Sequence, residues 1–200
     1  MISAIVLAAG ESKRMGQPKM LMPWGSSTIL EQVIRAVREG GADDILVVTG
    51  ARRSEIEALC RRQRVKSAHN LNFSENEMLG SLQTGLRALP GTAEAALVTL
   101  GDQPQIETGT VRAVIAEWQK TKRQLIVPSY EKHRGHPWVV GRSLWDEVLK
   151  MKAPESPREF LNRHSAEIHY IEVNSSSILQ DVDTPEDYSK SQPQDPQSNL

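Results

Sequence analysis

A chain of 200 residues has room for one sizeable hydrophobic core, so a single domain is expected; an apolar content of 38% is somewhat low, but the segments are patterned well enough to fold. The formal net charge of −1 gives no global basic field, so nucleic acid is not an expected partner and any phosphate ligand must be held by local geometry. Cys60 is the single cysteine, which excludes an internal disulfide and leaves too few ligands for a cysteine-based zinc site.

In chain order, Ile2 to Leu7 is a continuous apolar run, expected as a buried strand. It is too short for a membrane span or a signal h-region and has no basic n-region, so we expect a cytoplasmic protein with no membrane partner. The run empties into a loop holding Gly10, Gly16 and three cations, Lys13, Arg14 and Lys19. Small residues let a backbone approach a ligand closely, and turned N–H groups make an anion-binding concavity. Thr28 and Glu31 fit a capping box before Leu30, Val33, Ile34 and Val37, a helix that Gly40-Gly41 stops. Ile45 to Val48 reads as a doubly covered strand. Ser54 and Glu57 suggest a second capping box before Ile56, Leu59 and Cys60, a setting that makes the cysteine a buried thiol.

Val65 to Ala68 is a short strand candidate, and Asn70 to Glu77 is polar and aperiodic, hence a loop. Leu79, Leu82, Leu86 and Leu89 mark the next helix, ended by Pro90-Gly91. Ala95 to Leu100 is a buried strand stopping at Gly101-Asp102-Gln103-Pro104. Val111 to Trp118 gives a helix, and Leu125 to Val127 a strand. This alternation predicts an α/β domain with a mostly parallel, doubly wound sheet. Beyond it come a polar segment from Tyr130 to Trp138, a short strand at Val139-Val140, and helices around Leu144–Leu149 and Phe160-Leu161. Strands are expected at Ile168–Val173 and Ile178–Val182, and a helix start at Thr184-Pro185. We expect one domain over 1–188 and a disordered tail over 189–200, which is rich in Ser, Gln, Pro and Asp.

Ligands of open α/β sheets lie beyond the carboxyl ends of the strands. Three polar clusters fall there: Gly10–Lys19, Asp102, and Asp181 with Asp183. One basic loop and two acidic sites suit a phosphorylated ligand held through Mg²⁺, which takes one or two carboxylates plus substrate phosphates. The loop is neither G-x-x-x-x-G-K-[ST] nor G-x-G-x-x-G, so it is not a P-loop or a dinucleotide fingerprint. His133 and His136 lie in a Gly/Pro segment without helical spacing, which speaks against a zinc pair.

The pattern Leu7-Ala8-Ala9-Gly10-x-Ser12-x-Arg14-Met15-Gly16-x-x-Lys19, followed by Gly101-Asp102-Gln103-Pro104, resembles the MobA-like NTP transferase family, which includes the molybdenum-cofactor guanylyl- and cytidylyltransferases. Gly80-Ser81-Leu82-x-x-Gly85-Leu86, Arg134-Gly135-His136-Pro137 and Asp181-Val182-Asp183-Thr184-Pro185-Glu186-Asp187 extend the resemblance to about residue 188, closest to the cytidylyl type. It implies a three-layer Rossmann-like fold and transfer of a nucleotidyl group from an NTP to a phosphorylated acceptor, with pyrophosphate released. Lys19 is then expected at the α-phosphate and Arg14 at the β/γ oxygens. Leu7, Ala8, Ala9, Gly10, Ser12 and Gly16, with Gly80 and Ser81, would contact the nucleotide. Asp102 and Asp183 would hold Mg²⁺ or Mn²⁺, with Asp181 as the alternative to Asp183, and Arg134 and His136 would bind the acceptor.

Ala9 stands where guanylyl enzymes carry glycine and leans toward CTP over GTP. Ala153-Pro154-Glu155-Ser156-Pro157-Arg158 departs from the Gly-Asp-x-Gly-[Ala/Gly]-Arg stretch of the cytidylyl type and keeps only Arg158. Molybdopterin is the leading acceptor. The alternatives are a sugar- or polyol-phosphate nucleotidyltransferase and a non-catalytic accessory protein delivering the molybdenum cofactor to a molybdoenzyme.

Overall fold

The computed structural model describes residues 1–74 and 77–193, except the side chain of Glu77. Its centre is β1 (Ile2–Ala8), every residue of which is buried. Successive side chains of a strand point to opposite faces. Ile2, Ala4, Val6 and Ala8 therefore enter one apolar layer, and Ile5 and Leu7 enter the other. That double burial is why the segment reads as a continuous apolar run.

The chain continues through a 3-10 turn (Lys19–Leu21) and the short hairpin of β2 (Pro23–Trp24) and β3 (Ser27–Thr28). Then come α1 (Ile29–Glu39), β4 (Asp44–Thr49), α2 (Arg53–Gln63), β5 (Lys66–His69), α3 (Glu77–Ala88), β6 (Ala95–Leu100) and α4 (Thr108–Thr121). The second half holds β7 (Leu125–Tyr130), β8 (His133–Arg134), β9 (Trp138–Gly141), α5 (Trp145–Lys150), α6 (Pro157–Arg163), β10 (His169–Glu172) and α7 (Pro185–Ser191). The main sheet runs β10-β7-β9-β6-β1-β4-β5, with β8 paired to β7. β1 pairs in parallel with β4 and β6, β4 with β5, and β7 with β10, whereas β9 lies antiparallel between β6 and β7.

Apolar residues of α1, α2 and α4 cover one face of this sheet, and those of α3, α5 and α6 cover the other. The result is the three-layer, mostly parallel α/β architecture of the Rossmann-like type. The strand order reverses between β1 and β6, so their carboxyl ends form the switch point where such sheets bind ligands. Leu7 is in register with Leu100, and the Gly101 N–H donates to the Leu7 carbonyl at 2.9 Å. The loop after β1 and Asp102 thus leave the sheet side by side. At Gly85, α3 approaches β1 closely: a Cβ there would lie 2.6 Å from Ile5 Cγ2.

Three sequence expectations need correction. Ser54 and Glu57 form no capping box, because Gly50 and Ala51 are anchored on Ala9 and the helix already starts at Arg53, leaving Ser54 inside its first turn. Glu57 instead pairs with Arg53 at 2.8 Å. Ile178–Val182 is not a strand. Residues 176–179 form a 3-10 turn, and the segment crosses the sheet end with Ile178 C=O accepting from His136 N–H at 3.1 Å. Residues 189–191 belong to α7, which Thr184 and Asp187 cap reciprocally, so the segment expected as a disordered tail is helical at its start; 194–200 lie outside the described residues. Among the described residues no helix is long and apolar enough to cross a membrane.

His164 staples the layer of α5 and α6. Its Nε2 lies 2.9 Å from Glu147 and its Nδ1 3.0 Å from Glu167. Burial alone would lower its pKa, but hydrogen bonds and charge from both glutamates outweigh burial and raise it above the ordinary 6.5. A raised folded-state pKa stabilises the fold fully below the unfolded value and loses that stabilisation as pH rises through the folded value. His164→Gln should therefore destabilise the protein at pH 6 and cost less at pH 8.5, measured by urea unfolding. An equal cost at both pH values would show that the imidazolium pairing contributes nothing.

Candidate active site

The loop after β1 turns at two residues in the left-handed region, Ser12 with φ 55° and Gly16 with φ 68°. Gly16 meets a conformation that residues with a Cβ seldom adopt. Ser12 pays for its own turn with hydrogen bonds. Its carbonyl accepts from the Met15 and Gly16 N–H groups at 3.1 and 3.2 Å, and its Oγ accepts from the Lys19 N–H at 3.2 Å. The backbone of Lys19 is thereby fixed at the start of its 3-10 turn.

From that point the Lys19 side chain, only 8% exposed, reaches into a cluster of acids. Its Nζ donates to Asp102 Oδ2 at 2.6 Å and to Asp183 Oδ1 at 2.7 Å, and Arg14 Nη2 pairs with Asp183 Oδ2 at 2.9 Å. Burial by itself would lower the Lys19 pKa, but Asp102 and then Asp183 outweigh it and raise it, so the ammonium stays charged. Asp102 is free for this role because α4 begins at Thr108, with Glu107 and not Asp102 at its cap. Lys13 pairs with Glu11 at 2.6 Å on the exposed side of the loop.

Asp183 is held from behind. Val182 is fully buried against Met15, Met22, Trp24 and Ile29, with Tyr188 packed on the same cluster. The Val182 N–H donates to the Asp102 carbonyl at 3.0 Å, and Tyr188 Oη donates to the Pro23 carbonyl at 2.6 Å. The loop, the β2–β3 hairpin and the C-terminal segment are one packed unit. Asp181 accepts a 2.7 Å hydrogen bond from Nε2 of the buried Gln103. Asp181 keeps solvent access, yet desolvation by the cleft walls, with the Asp102 and Asp183 charges, raises its pKa above the ordinary carboxylate value.

These groups line a cleft of about 480 Å³, within the range of small-molecule sites. Of the residues expected from the sequence, Leu7, Ala9, Gly10, Ser12, Arg14, Lys19, Ser81, Asp102 and Asp183 line it together. Ala8 faces the core, Gly16 turns the loop and Gly80 is buried within α3, so none of these three is a lining residue. Arg134 and His136 also lie outside the cleft lining. The Arg134 guanidinium donates to Tyr170 Oη and to Asn162 Oδ1, both at 2.8 Å. The imidazole of His136 is held neutral, its pKa pushed by burial to about 4.

The apolar part of the lining was not legible in the sequence. Phe73, Met78, Met20 and Leu100 line the cleft, Met78 with 41% of its surface exposed. Asn70, buried just after β5, donates from Nδ2 to Ser81 Oγ at 3.1 Å and so fixes the first turn of α3. Among the described residues no group of three or more His, Cys, Asp or Glu is arranged to hold a metal. The Asp102–Asp183 pair does fit a hard divalent cation: both carboxylates converge on one cationic atom, and the missing ligands can come from phosphates and water.

A model of the MobA-like NTP transferase domain matches residues 4–168. The chain belongs to the MobA-like NTP transferase family. It is 29% identical over 189 residues to the molybdenum cofactor cytidylyltransferase of Escherichia coli, covering 94% of this chain and 93% of that one. It is also 28% identical over 193 residues to the nicotine blue oxidoreductase of Paenarthrobacter nicotinovorans, covering 92% and 93%. Among solved structures, Rv0371c of Mycobacterium tuberculosis superposes with a TM-score of 0.82 at 26% identity, covering 95% of this chain and 97% of that one. The same mycobacterial protein has been crystallised with manganese. The nucleotidyltransferase fold and family of this chain follow, with NTP and a small molecule as the substrate classes the family name implies.

Val182 tests whether the cluster behind the acids holds them in place. Val182→Ala removes two buried methyl carbons and should cost about 2 kcal/mol in urea denaturation. It should also lower turnover in the folded protein, because Asp181 and Asp183 flank it. Turnover equal to wild type at a temperature where the variant is folded would show that Asp183 is positioned without it.

Proposed function

We propose that this MobA-like protein transfers a nucleotidyl group, CMP in preference to GMP, from an NTP to a phosphorylated small molecule, with molybdopterin as the leading acceptor. The observation that carries this reading is the nearly buried Lys19 ammonium, held at the cleft floor between two carboxylates and beside Arg14. Such a set can take up a polyphosphate and a divalent cation together. The similarity to a cytidylyltransferase supports CTP and molybdopterin, and Ala9 at the cleft wall agrees with CTP.

In the reaction an oxygen of the acceptor phosphate attacks the α-phosphorus. The new P–O bond forms as the bond from the α-phosphorus to the bridging oxygen breaks, and pyrophosphate leaves with that electron pair. Negative charge grows on the α-phosphate oxygens and on the leaving group. No covalent nucleophile is needed, so catalysis is positioning and charge stabilisation. Lys19 faces the α-phosphate and Arg14 the departing β/γ oxygens. Ser81, fixed by Asn70, orients the nucleoside, and Phe73 and Met78 keep that wall apolar. Asp102 and Asp183 would hold Mg²⁺ or Mn²⁺, which would supply charge neutralisation of the phosphates.

Arg134 and His136, expected at the acceptor, lie outside the cleft lining and make contacts within the scaffold. The His136 N–H holds Ile178, three residues before Asp181, and Arg134 braces β8 on Tyr170 and α6 on Asn162. Residues 153–158, where the chain departs from the cytidylyl type, also lie away from the cleft lining. Acceptor choice then rests with the cleft walls, which keeps a sugar or polyol phosphate as the second candidate.

The test is pyrophosphate release with CTP, GTP, ATP and UTP, each with Mg²⁺ and with molybdopterin or a sugar phosphate as acceptor. Turnover with CTP and molybdopterin is the expected result, and robust turnover with a sugar phosphate alone would overturn the acceptor. Nucleotide binding without pyrophosphate under every acceptor would overturn the enzyme reading in favour of a carrier of the cofactor. Lys19→Ala should lower the rate roughly 10²–10³-fold, about 2.7–4 kcal/mol, the scale of losing one preorganised donor.

A further inference from the structure

The two acids assigned to the divalent cation already hold a cation that belongs to the chain. Lys19 Nζ sits 2.6 Å from Asp102 and 2.7 Å from Asp183, and Arg14 engages the other oxygen of Asp183 at 2.9 Å. A bare divalent cation approaching this pair meets an ammonium between its ligands, and both oxygens of Asp183 are occupied. The pair is also an incomplete metal site. A small divalent cation takes about six oxygens, whereas among the described residues no third acid completes a cluster. Asp181 is turned to Gln103, which donates to it at 2.7 Å.

We propose that Lys19 is an intramolecular lock on the Asp102–Asp183 cation site, closed to a bare divalent cation and opened by the triphosphate. The phosphates offer Lys19 and Arg14 a stronger anionic partner, and both cations can follow it. Lys19 carries its charge on a flexible four-carbon stem, while its backbone stays pinned to Ser12 Oγ. Arg14 is 73% exposed and free to turn. When the two cations move to the phosphates, Asp102 and Asp183 are released together, and the nucleotide supplies the oxygens that the metal site lacks. With the nucleotide gone, Lys19 returns and keeps two like charges from repelling one another at the cleft floor. This inference rests on the nucleotide reading above and adds an order to it: metal and nucleotide bind with positive coupling, and Lys19 is the residue that couples them.

Manganese binding, read from the electron paramagnetic resonance signal of free Mn²⁺, tests the lock with and without the α,β-methylene analogue of CTP. Wild-type protein should bind Mn²⁺ weakly alone and more tightly with the analogue. Lys19→Met should bind Mn²⁺ alone about tenfold or more tighter than wild type, the scale of removing one charge a few ångströms from a cation. Arg14→Gln, at an exposed position that leaves the fold intact, should gain by a smaller factor and carries the test should Lys19→Met fail to fold. Folded variants that bind Mn²⁺ alone no more tightly than wild type would overturn the lock. An analogue that fails to bind wild-type protein would instead overturn the nucleotide reading, while the metal-only comparison of the variants would still decide the lock.

Discussion

The structure depends most on a single charge at a buried place: the Lys19 ammonium against Asp102 and Asp183. Three segments far apart in sequence meet there, the loop after β1, the end of β6 and the stretch before α7. Removing one partner of such a group leaves an unpaired charge at low solvent exposure, which costs more than the pair itself contributes. The contact is therefore weak as a general source of stability and strong as a specification of geometry. It fixes which side chains share the cleft floor.

The rest of the fold is arranged so that this meeting can occur. Parallel pairing of β1 with β6 places their carboxyl ends side by side, and the Gly101 N–H continues the pairing one step beyond the strands. The third segment arrives by packing. Val182 inserts between the loop and the hairpin, its N–H bonds the Asp102 carbonyl, and the capped start of α7 follows at once. Gly135 allows the closest approach behind it, since a Cβ there would lie 2.4 Å from the Ile178 carbonyl. Hydrophobic packing and backbone hydrogen bonds thus bring the acids within reach, and the ion pairs with Lys19 set which side chains share the floor.

Much of this was legible in the residues. Double-faced apolar runs gave β1, β4 and β6, and the capping residues at Thr28 and Thr184 gave the starts of α1 and α7. Most of the basic loop and both acids that pair with Lys19 came from spacing and family resemblance. The apolar wall did not, because Phe73 sits in a stretch whose neighbours are polar, and nothing local says that it faces a ligand. Asn70 was hidden for the same reason: its partner, Ser81, lies eleven residues on in another element. Ser54 and Ile178 misled because a cap or a strand is decided by the neighbours a segment finds, and here Ala9 and His136 decided them.

For the opening loop, the sequence by itself determined composition and order: small residues after a buried strand, three cations, and carboxylates waiting downstream. Those are local facts, set by side-chain chemistry and the strand's period. Only the tertiary structure decided that Lys19 and Arg14 share Asp183, that Asp181 belongs to Gln103, and that Arg134 and His136 brace the scaffold outside the cleft. The physical reason is that a charged side chain has no preferred partner in sequence. Its partner is whichever opposite charge the packed backbone brings within reach, and packing is a property of the whole chain.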